Sequence, residues 1–423
     1  MAAVSFLVVG AGSRGSGYAG YAAAHPDEAR VVGVAEPRAF YRQRLAADHG
    51  ISEKQVFPDW REAASRPRFA DAVIIATQDA MHAEPAEVFA AQGYHILLEK
   101  PMAPQPADCW RIFRAVQRTG VLFAVCHVMR YTAYSRRFKA LIEEGAVGEV
   151  VNIQQLEPVG YWHQAHSFVR GNWRNSSESS PMLLAKSCHD LDWLRYLMGV
   201  PCLKISSFGS LKHFRAEEKP EGAAERCLDC ACETQCPYSA KRFYLGRARE
   251  GSWGWPVDVL TPEKTEAAVL EALRHGPYGR CVYACDNDVV DNQVVNMLFA
   301  GGRTCSFTMT AFNEGGNRRT RVFGTRGELL GEGSTIEHFD FLTNQRQVID
   351  TRAPDGSLAG GHGGGDYGLM RAFVEAVACQ DPGPILSGPE ETLDTHMMVF
   401  AAEEARATDA VVDLGAFKER HAP

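Results

Sequence analysis

Lys100, His189 and Lys186 define the chemistry open to this chain. Lys100 follows the apolar run His95-Ile96-Leu97-Leu98 and Glu99, which puts an ammonium at the C-terminal end of a strand. From there it could donate a hydrogen bond to a substrate hydroxyl or carbonyl, and its charge would favour an alkoxide. The plain alternative is a surface lysine with its head in water. His189 lies in Lys186-Ser187-Cys188-His189-Asp190-Leu191-Asp192-Trp193, where Leu191, Leu194, Leu197 and Met198 mark the apolar face of a helix. An imidazole titrates near working pH, so His189 is the natural general base; the alternative is a core histidine capping the helix. If the turn at Lys186 is already helical, Lys186, His189 and Asp190 share one side, and Lys186 is a second candidate for the acid–base role.

These side chains need a framework and a partner for redox chemistry, and the start of the chain supplies both. Val4-Ser5-Phe6-Leu7-Val8-Val9 is a strand-length apolar run followed at once by Gly10-Ala11-Gly12-Ser13-Arg14-Gly15 and a helical pattern. A strand, a G-x-G-x-x-G turn and a helix N-terminus form an anion site for a pyrophosphate. The next apolar run, Val31 to Ala35, ends at Glu36, an acid placed to hydrogen-bond the ribose hydroxyls of an adenosine. A carboxylate there repels a 2′-phosphate and so favours NAD, a preference weakened by nearby Arg38. An ordinary glycine turn is the rival explanation. Strands and helices then alternate through Ala72–Ala76, His95–Leu98 and Val121–Val125, giving a doubly wound parallel sheet over residues 1–126.

Beyond Val150 the period changes to two, in Val151, Ile153, Gln155, in Val295, Met297, Phe299, and in Cys305, Phe307, Met309. Gly301-Gly302 separates the last two runs as a hairpin turn. Residues 127–423 therefore read as an α+β domain on an open antiparallel sheet, with a cysteine-rich insertion at about 215–290. Ser334 to Ser357 is polar and poorly patterned. Gly360 to Asp366 opens a helix carrying Leu369, Phe373 and Val377 on one face, with Asp366 as its N-cap.

The glycine turn, Thr77 with His82, and Glu99-Lys100-Pro101 resemble the glucose–fructose oxidoreductase, inositol dehydrogenase and rhizopine-catabolism family (Gfo/Idh/MocA). The resemblance continues in Gly145-Ala146-Val147-Gly148-Glu149-Val150, in His189 before an apolar helix, and in Gly324-Thr325-Arg326-Gly327-Glu328-Leu329. It implies NAD bound by Gly10, Gly12, Ser13, Arg14, Gly15, Glu36, Thr77, His82, Glu99 and Lys100, with Lys100 and His189 as catalytic residues. It implies a sugar, polyol or glycoside as substrate, and a homodimer or homotetramer closed over the open sheet. One departure matters. Dehydrogenases of this type usually carry an aspartate four residues before the catalytic histidine, and here that residue is Ala185. Either Lys186 takes over part of the role, or the reaction differs from simple alcohol oxidation. A redox-neutral glycosidase, which oxidises, eliminates, hydrates and re-reduces, is the alternative. A non-catalytic dinucleotide sensor is a third possibility, disfavoured by the presence of both Lys100 and His189.

Candidate substrate contacts are His127 and Tyr131 after the last strand of the first domain, Trp173 and Arg174, and His362 in its glycine-rich loop. Tyr161-Trp162-His163, His166, Phe168 and Arg170 add an aromatic and basic stretch suited to a sugar face, although packing explains each residue singly as well. In the insertion, Cys227, Cys230 and Cys236 have metal spacing, and a structural zinc is the favoured occupant, with Cys232, His213, Cys281 or Cys285 as fourth ligand. Unligated thiols or a cluster are the alternatives. Cys109, Cys126, Cys188, Cys202, Cys305 and Cys379 sit among apolar neighbours and read as reduced core residues. A net charge of -8 gives no basic footprint for nucleic acid. No apolar run reaches membrane-span length, and the chain enters its first strand without a leader, which points to the cytoplasm.

Overall fold

The computed structural model describes residues 2–352 and 362–423. The first sheet contains β1 (Val4–Val9), β2 (Ala29–Ala35), β3 (Val56–Phe57), β4 (Ala72–Ile75), β5 (His95–Leu98) and β6 (Phe123–Val125). Their order is β3-β2-β1-β4-β5-β6, and every pair is parallel. β1 and β4 are buried throughout, and every residue of both but Ser5 is apolar, because both sheet faces are covered. Phe6 and Val8 pack with Tyr18, Leu369 and Phe373 on one face. Leu7 and Val9 join Phe89 and Ile112 on the other. Burial of one side chain of this size stabilises the fold by about 2 kcal/mol. The helix Gly365–Cys379, far along the chain, thus returns to cover the first sheet.

The second sheet contains β7 (Val150–Pro158), β8 (Cys202–Ser210), β9 (Asn292–Phe299), β10 (Thr304–Thr310), β11 (Arg319–Gly324), β12 (Gly327–Glu332), β13 (Thr335–Asp340), β14 (Gln345–Asp350) and β15 (Val412–Asp413). Their order is β14-β13-β12-β11-β7-β10-β9-β8-β15. The sheet is mixed, not purely antiparallel: β7 and β10 run parallel at its centre. β9 and β10 form the hairpin expected across Gly301-Gly302. Ile153, Val295, Met297, Phe307 and Met309 point inward and extend the core shared with the first sheet. Val151, Phe208, Val294, Leu330 and Val348 are exposed.

Three expectations are corrected here. The polar stretch after Ser334 contains the hairpin β13–β14, whose outer strand is exposed at five of six positions and so carries no hydrophobic alternation. Asp366 does not cap its helix: Gly364 precedes the helix with φ +86°, and no side chain caps it. Cys379 is exposed, whereas the other five cysteines read as core are buried. Gly360 and Gly361, in the glycine-rich approach to this helix, lie outside the described residues.

Candidate active site

The glycine turn has the shape a dinucleotide needs. Gly10 adopts φ +92°, and a Cβ there would stand 2.4 Å from the Ala76 carbonyl oxygen. A Cβ at Gly15 would meet the Gly10 carbonyl oxygen at 1.9 Å. No side chain caps the helix Ser13–Ala24, so its first amides point free from the turn that Gly12 begins. Glu36, at the end of β2, accepts from the Ala11 amide at 2.9 Å and from Arg38 Nε at 2.7 Å. Burial alone would raise the Glu36 pKa, but the Arg38 hydrogen bonds and charge hold it below the usual value. The closed glycine cradle, the uncapped helix and an ionised acid beside Ala11 fit a bound dinucleotide.

Arg14 turns away from that cradle. Its guanidinium pairs with Glu99 at 2.5 Å and Asp366 at 2.8 Å, which fastens the turn to β5 and to the helix Gly365–Cys379. Burial would raise the Asp366 pKa, but hydrogen bonds from His362 and Arg14 hold it well below the carboxylate range. His82 is fully buried, with ring nitrogens 2.8 Å from the Pro101 carbonyl and 3.3 Å from the Thr77 carbonyl. It ties together the loops that follow β4 and β5. Thr77 donates to the Met81 carbonyl at 3.3 Å. The Lys100–Pro101 bond is cis.

Lys100 crosses to the second domain. Its Nζ donates to the Ala185 carbonyl at 2.8 Å, four residues before His189. His189 lies in the first turn of the helix Cys188–Met198, buried, with its Nδ1 unpartnered. Its ring centroid is 5.8 Å from that of His127 and 6.1 Å from that of His362. Burial first, then Lys100, His127, His362 and Arg318, push the His189 pKa well below its ordinary value. The imidazole is therefore neutral at physiological pH.

Lys186 is not on the helix that carries His189. The helix Met182–Ala185 ends at Lys186, and Ser187, at φ -98° and ψ 8°, breaks the run. Lys186 Nζ instead lies 3.0 Å from Glu157 at the end of β7. Arg318 Nε stands 2.9 Å from Glu157 and 2.7 Å from Asp190, and Gln155 donates to Asp190 at 2.7 Å. The result is a chain of alternating charge, Lys186–Glu157–Arg318–Asp190, beside His189. Burial raises the Asp190 pKa, whereas Arg318 and Lys186 overcome burial and lower that of Glu157. Glu157 and Arg318 carried no local sequence signal.

The remaining candidates divide. His127 is fully buried behind His189, with both ring nitrogens unpartnered and Nε2 3.8 Å from Asp192. His362 stands beside His189, with Nδ1 3.1 Å from Asp366. Tyr131 spends its hydroxyl on the Leu386 and Ser387 amides and on Ser387 Oγ, so it braces a loop. Arg174 is bound in surface ion pairs with Asp286 and Glu178 and is not among the charges gathered at His189. Trp173 is half-exposed and packs on Phe168.

The zinc expected at Cys227, Cys230 and Cys236 finds no support. Among the described residues no group of three or more His, Cys, Asp or Glu is placed to hold a metal ion. Cys227, Cys230, Cys232, Cys236 and Cys281 line one small cavity with Arg170, but Cys227 Sγ lies 3.5 Å from Arg170 Nη2, and Cys232 Sγ donates to the Glu221 carbonyl. Nor does the insertion need a staple, because Tyr244, Leu245, Val257, Val269 and Leu273 give it a core of its own.

The fold and this cradle define an NAD-binding oxidoreductase, and comparison with known proteins gives the family. The chain belongs to the Gfo/Idh/MocA oxidoreductases. Residues 4–127 match the NAD-binding Rossmann fold of the family, and residues 139–414 match its C-terminal alpha/beta domain. A 2,7-anhydro-N-acetylneuraminate hydratase of Mediterraneibacter gnavus is 30% identical over 274 residues, 64% of this chain and 67% of that protein. An inositol 2-dehydrogenase of Streptomyces avermitilis is 30% identical over 221 residues, 51% of this chain and 58% of that protein. An Agrobacterium radiobacter oxidoreductase, solved with NAD+, L-tartaric acid and magnesium, superposes with a TM-score of 0.71 over 98% of this chain and 99% of its own, at 14% identity. No helix among the described residues is long and apolar enough to cross a membrane.

Proposed function

We propose that the chain oxidises a ring hydroxyl of a sugar, polyol or glycoside, with NAD as hydride acceptor. The observation that carries this is the hydrogen bond from Lys100 to the Ala185 carbonyl, which brings the strand-end lysine of one domain onto the segment leading to His189 of the other. The nicotinamide, when bound, supplies the hydride chemistry. Gly10, Gly12, Ser13 and Gly15 would hold its pyrophosphate, and Glu36 its adenosine ribose, which favours NAD over NADP. Lys100 steadies the substrate oxygen as charge develops there. His189, neutral at rest, takes the hydroxyl proton. His362 and His127 flank it. A second copy of the chain covering Val151, Phe208 and Val294 would give the homodimer or homotetramer of the family.

One feature favours the redox-neutral alternative. Among the described residues no carboxylate meets His189 Nδ1, and Ala185 stands where an orienting aspartate would be. A relative named as a hydratase points the same way. The test is a panel of sugars, polyols and glycosides, assayed in parallel for NADH and for released aglycone. NADH accumulating with substrate supports net oxidation. Product release without net NADH supports the redox-neutral cycle. Turnover of no member of the panel refutes both.

A further inference from the structure

The insertion reaches the active site through aromatic rings, and the way it does so bears on substrate class. His163 stands at the start of a π-helical stretch, Gln164–Arg170, every residue of which is buried; such helices recur at functional sites. Burial, then Lys186 and His166, hold its pKa at about 3, and the charges of Glu157 and Lys100 also reach it. Its imidazole is therefore a neutral neighbour of the catalytic cations. Among the described residues it takes no side-chain hydrogen bond.

Trp162 and Trp255 pack on this ring, Trp162 stacked at 5.5 Å. Trp255, from the insertion, packs at 83° to His163 with centroids 5.2 Å apart, yet remains 48% exposed. Phe168 lies 5.8 Å from His163, and Trp173 packs on Phe168, not on His163. Trp255 is half-exposed and packs on a ring that the charges of Lys186, Glu157 and Lys100 reach, so it stands beside the charged site. An indole half in water at such a place presents a face on which a ligand ring can stack.

We propose that Trp255 forms a subsite, beside the reacting ring, for a second ring attached to it, the aglycone of a glycoside. The proposal rests on the reaction proposed above, with the reacting ring at Lys100 and His189. The apolar C–H face of a sugar, or an aryl group, stacks on indole. The polar edges of the reacting ring meet His163 and Lys186. The insertion then has a function of its own: it carries Trp255 to the site.

The experiment titrates the full-length, NAD-loaded protein with matched pairs, the p-nitrophenyl and methyl glycosides of glucose, galactose, N-acetylglucosamine and glucuronic acid, read by calorimetry. The p-nitrophenyl member of at least one pair should bind about tenfold more tightly, as a stacked aromatic pair of this kind is worth. Trp255→Ala should abolish that advantage, and Trp255→Tyr, which keeps a stacking face, should retain most of it. No advantage in any pair, or an advantage that survives Trp255→Ala, overturns the proposal. A preference lost in Trp255→Ala, together with no NADH and no aglycone from any pair, would refute the proposed reaction and leave the subsite standing.

Discussion

Acidifying the protein from about pH 7.5 to about pH 5 should destabilise it by roughly 6 kcal/mol, through three buried histidines alone. Burial depresses the pKa of His127 to about 4 and those of His166 and His396 to about 3, with Arg170 adding to the effect on His166 and His127 to that on His396. His127 and His396 are fully buried and His166 nearly so. In the folded protein all three stay neutral over this range. In the unfolded chain they protonate below their ordinary value of 6.5. The unfolded state therefore binds more protons, and stability falls as pH drops through this window. At pH ~5 the gap from the unfolded value is about 1.5 pH units, or about 2 kcal/mol per histidine. The lowered carboxylates Glu36, Glu157 and Asp192 lose their contribution only below their unfolded values near 4, so the two windows separate. Chemical denaturation across this range measures the loss. His127→Leu removes one titrating ring that makes no hydrogen bond and should shrink the pH difference by about 2 kcal/mol. Stability flat from pH ~7.5 to ~5, or a difference unchanged in His127→Leu, would show that these rings are not held neutral, and the same reasoning about His189 would fail with it.

Lys100→Met should lower kcat/KM by about a thousandfold while NAD affinity, followed by cofactor titration, changes little. Glu36→Gln keeps the shape but not the charge, and should raise the affinity for NADP relative to NAD by about tenfold, read as the ratio of the two Kd values. Arg130 holds buried Asp192 through two bonds of 2.7 Å, so Arg130→Met should cost about 3–5 kcal/mol in chemical denaturation by stranding that carboxylate.

The first sheet was legible because its strands are buried on both faces and therefore read as unbroken apolar runs ended by glycine or a charge. The inward alternation of β7, β9 and β10 was legible for the complementary reason. What escaped depends on partners remote in sequence. Asp366 has the look of a helix cap, and only the fold shows Arg14, 352 residues away, taking its carboxylate. Arg174 has the look of a substrate ligand until Asp286 arrives from 112 residues on. Glu157 and Arg318 sit at a strand end and in a loop with no motif around them, and their importance comes from meeting Lys186 and Asp190. The cysteine spacing does bring Cys227, Cys230, Cys236 and Cys281 to one small cavity, but among the described residues they are not placed to hold a metal ion, and the insertion has an apolar core of its own.

The missing aspartate shapes how the proposed base must work. With Ala185 in place, a protonated His189 would gain no anionic partner at Nδ1 and would face Lys100 and Arg318, so the imidazolium is costly. Glu157 and Asp190 do not repair this, because Arg318 pairs with both and Lys186 with Glu157. A base in that position holds a proton briefly and must give it up again soon. Net oxidation asks it to release each proton to water from a buried site beside His127, which is itself held neutral. A cycle that takes a proton in one step and returns it in a later one asks only for a transient holder. The two courses therefore differ in what they ask of His189, and the parallel assay for NADH and released aglycone separates them.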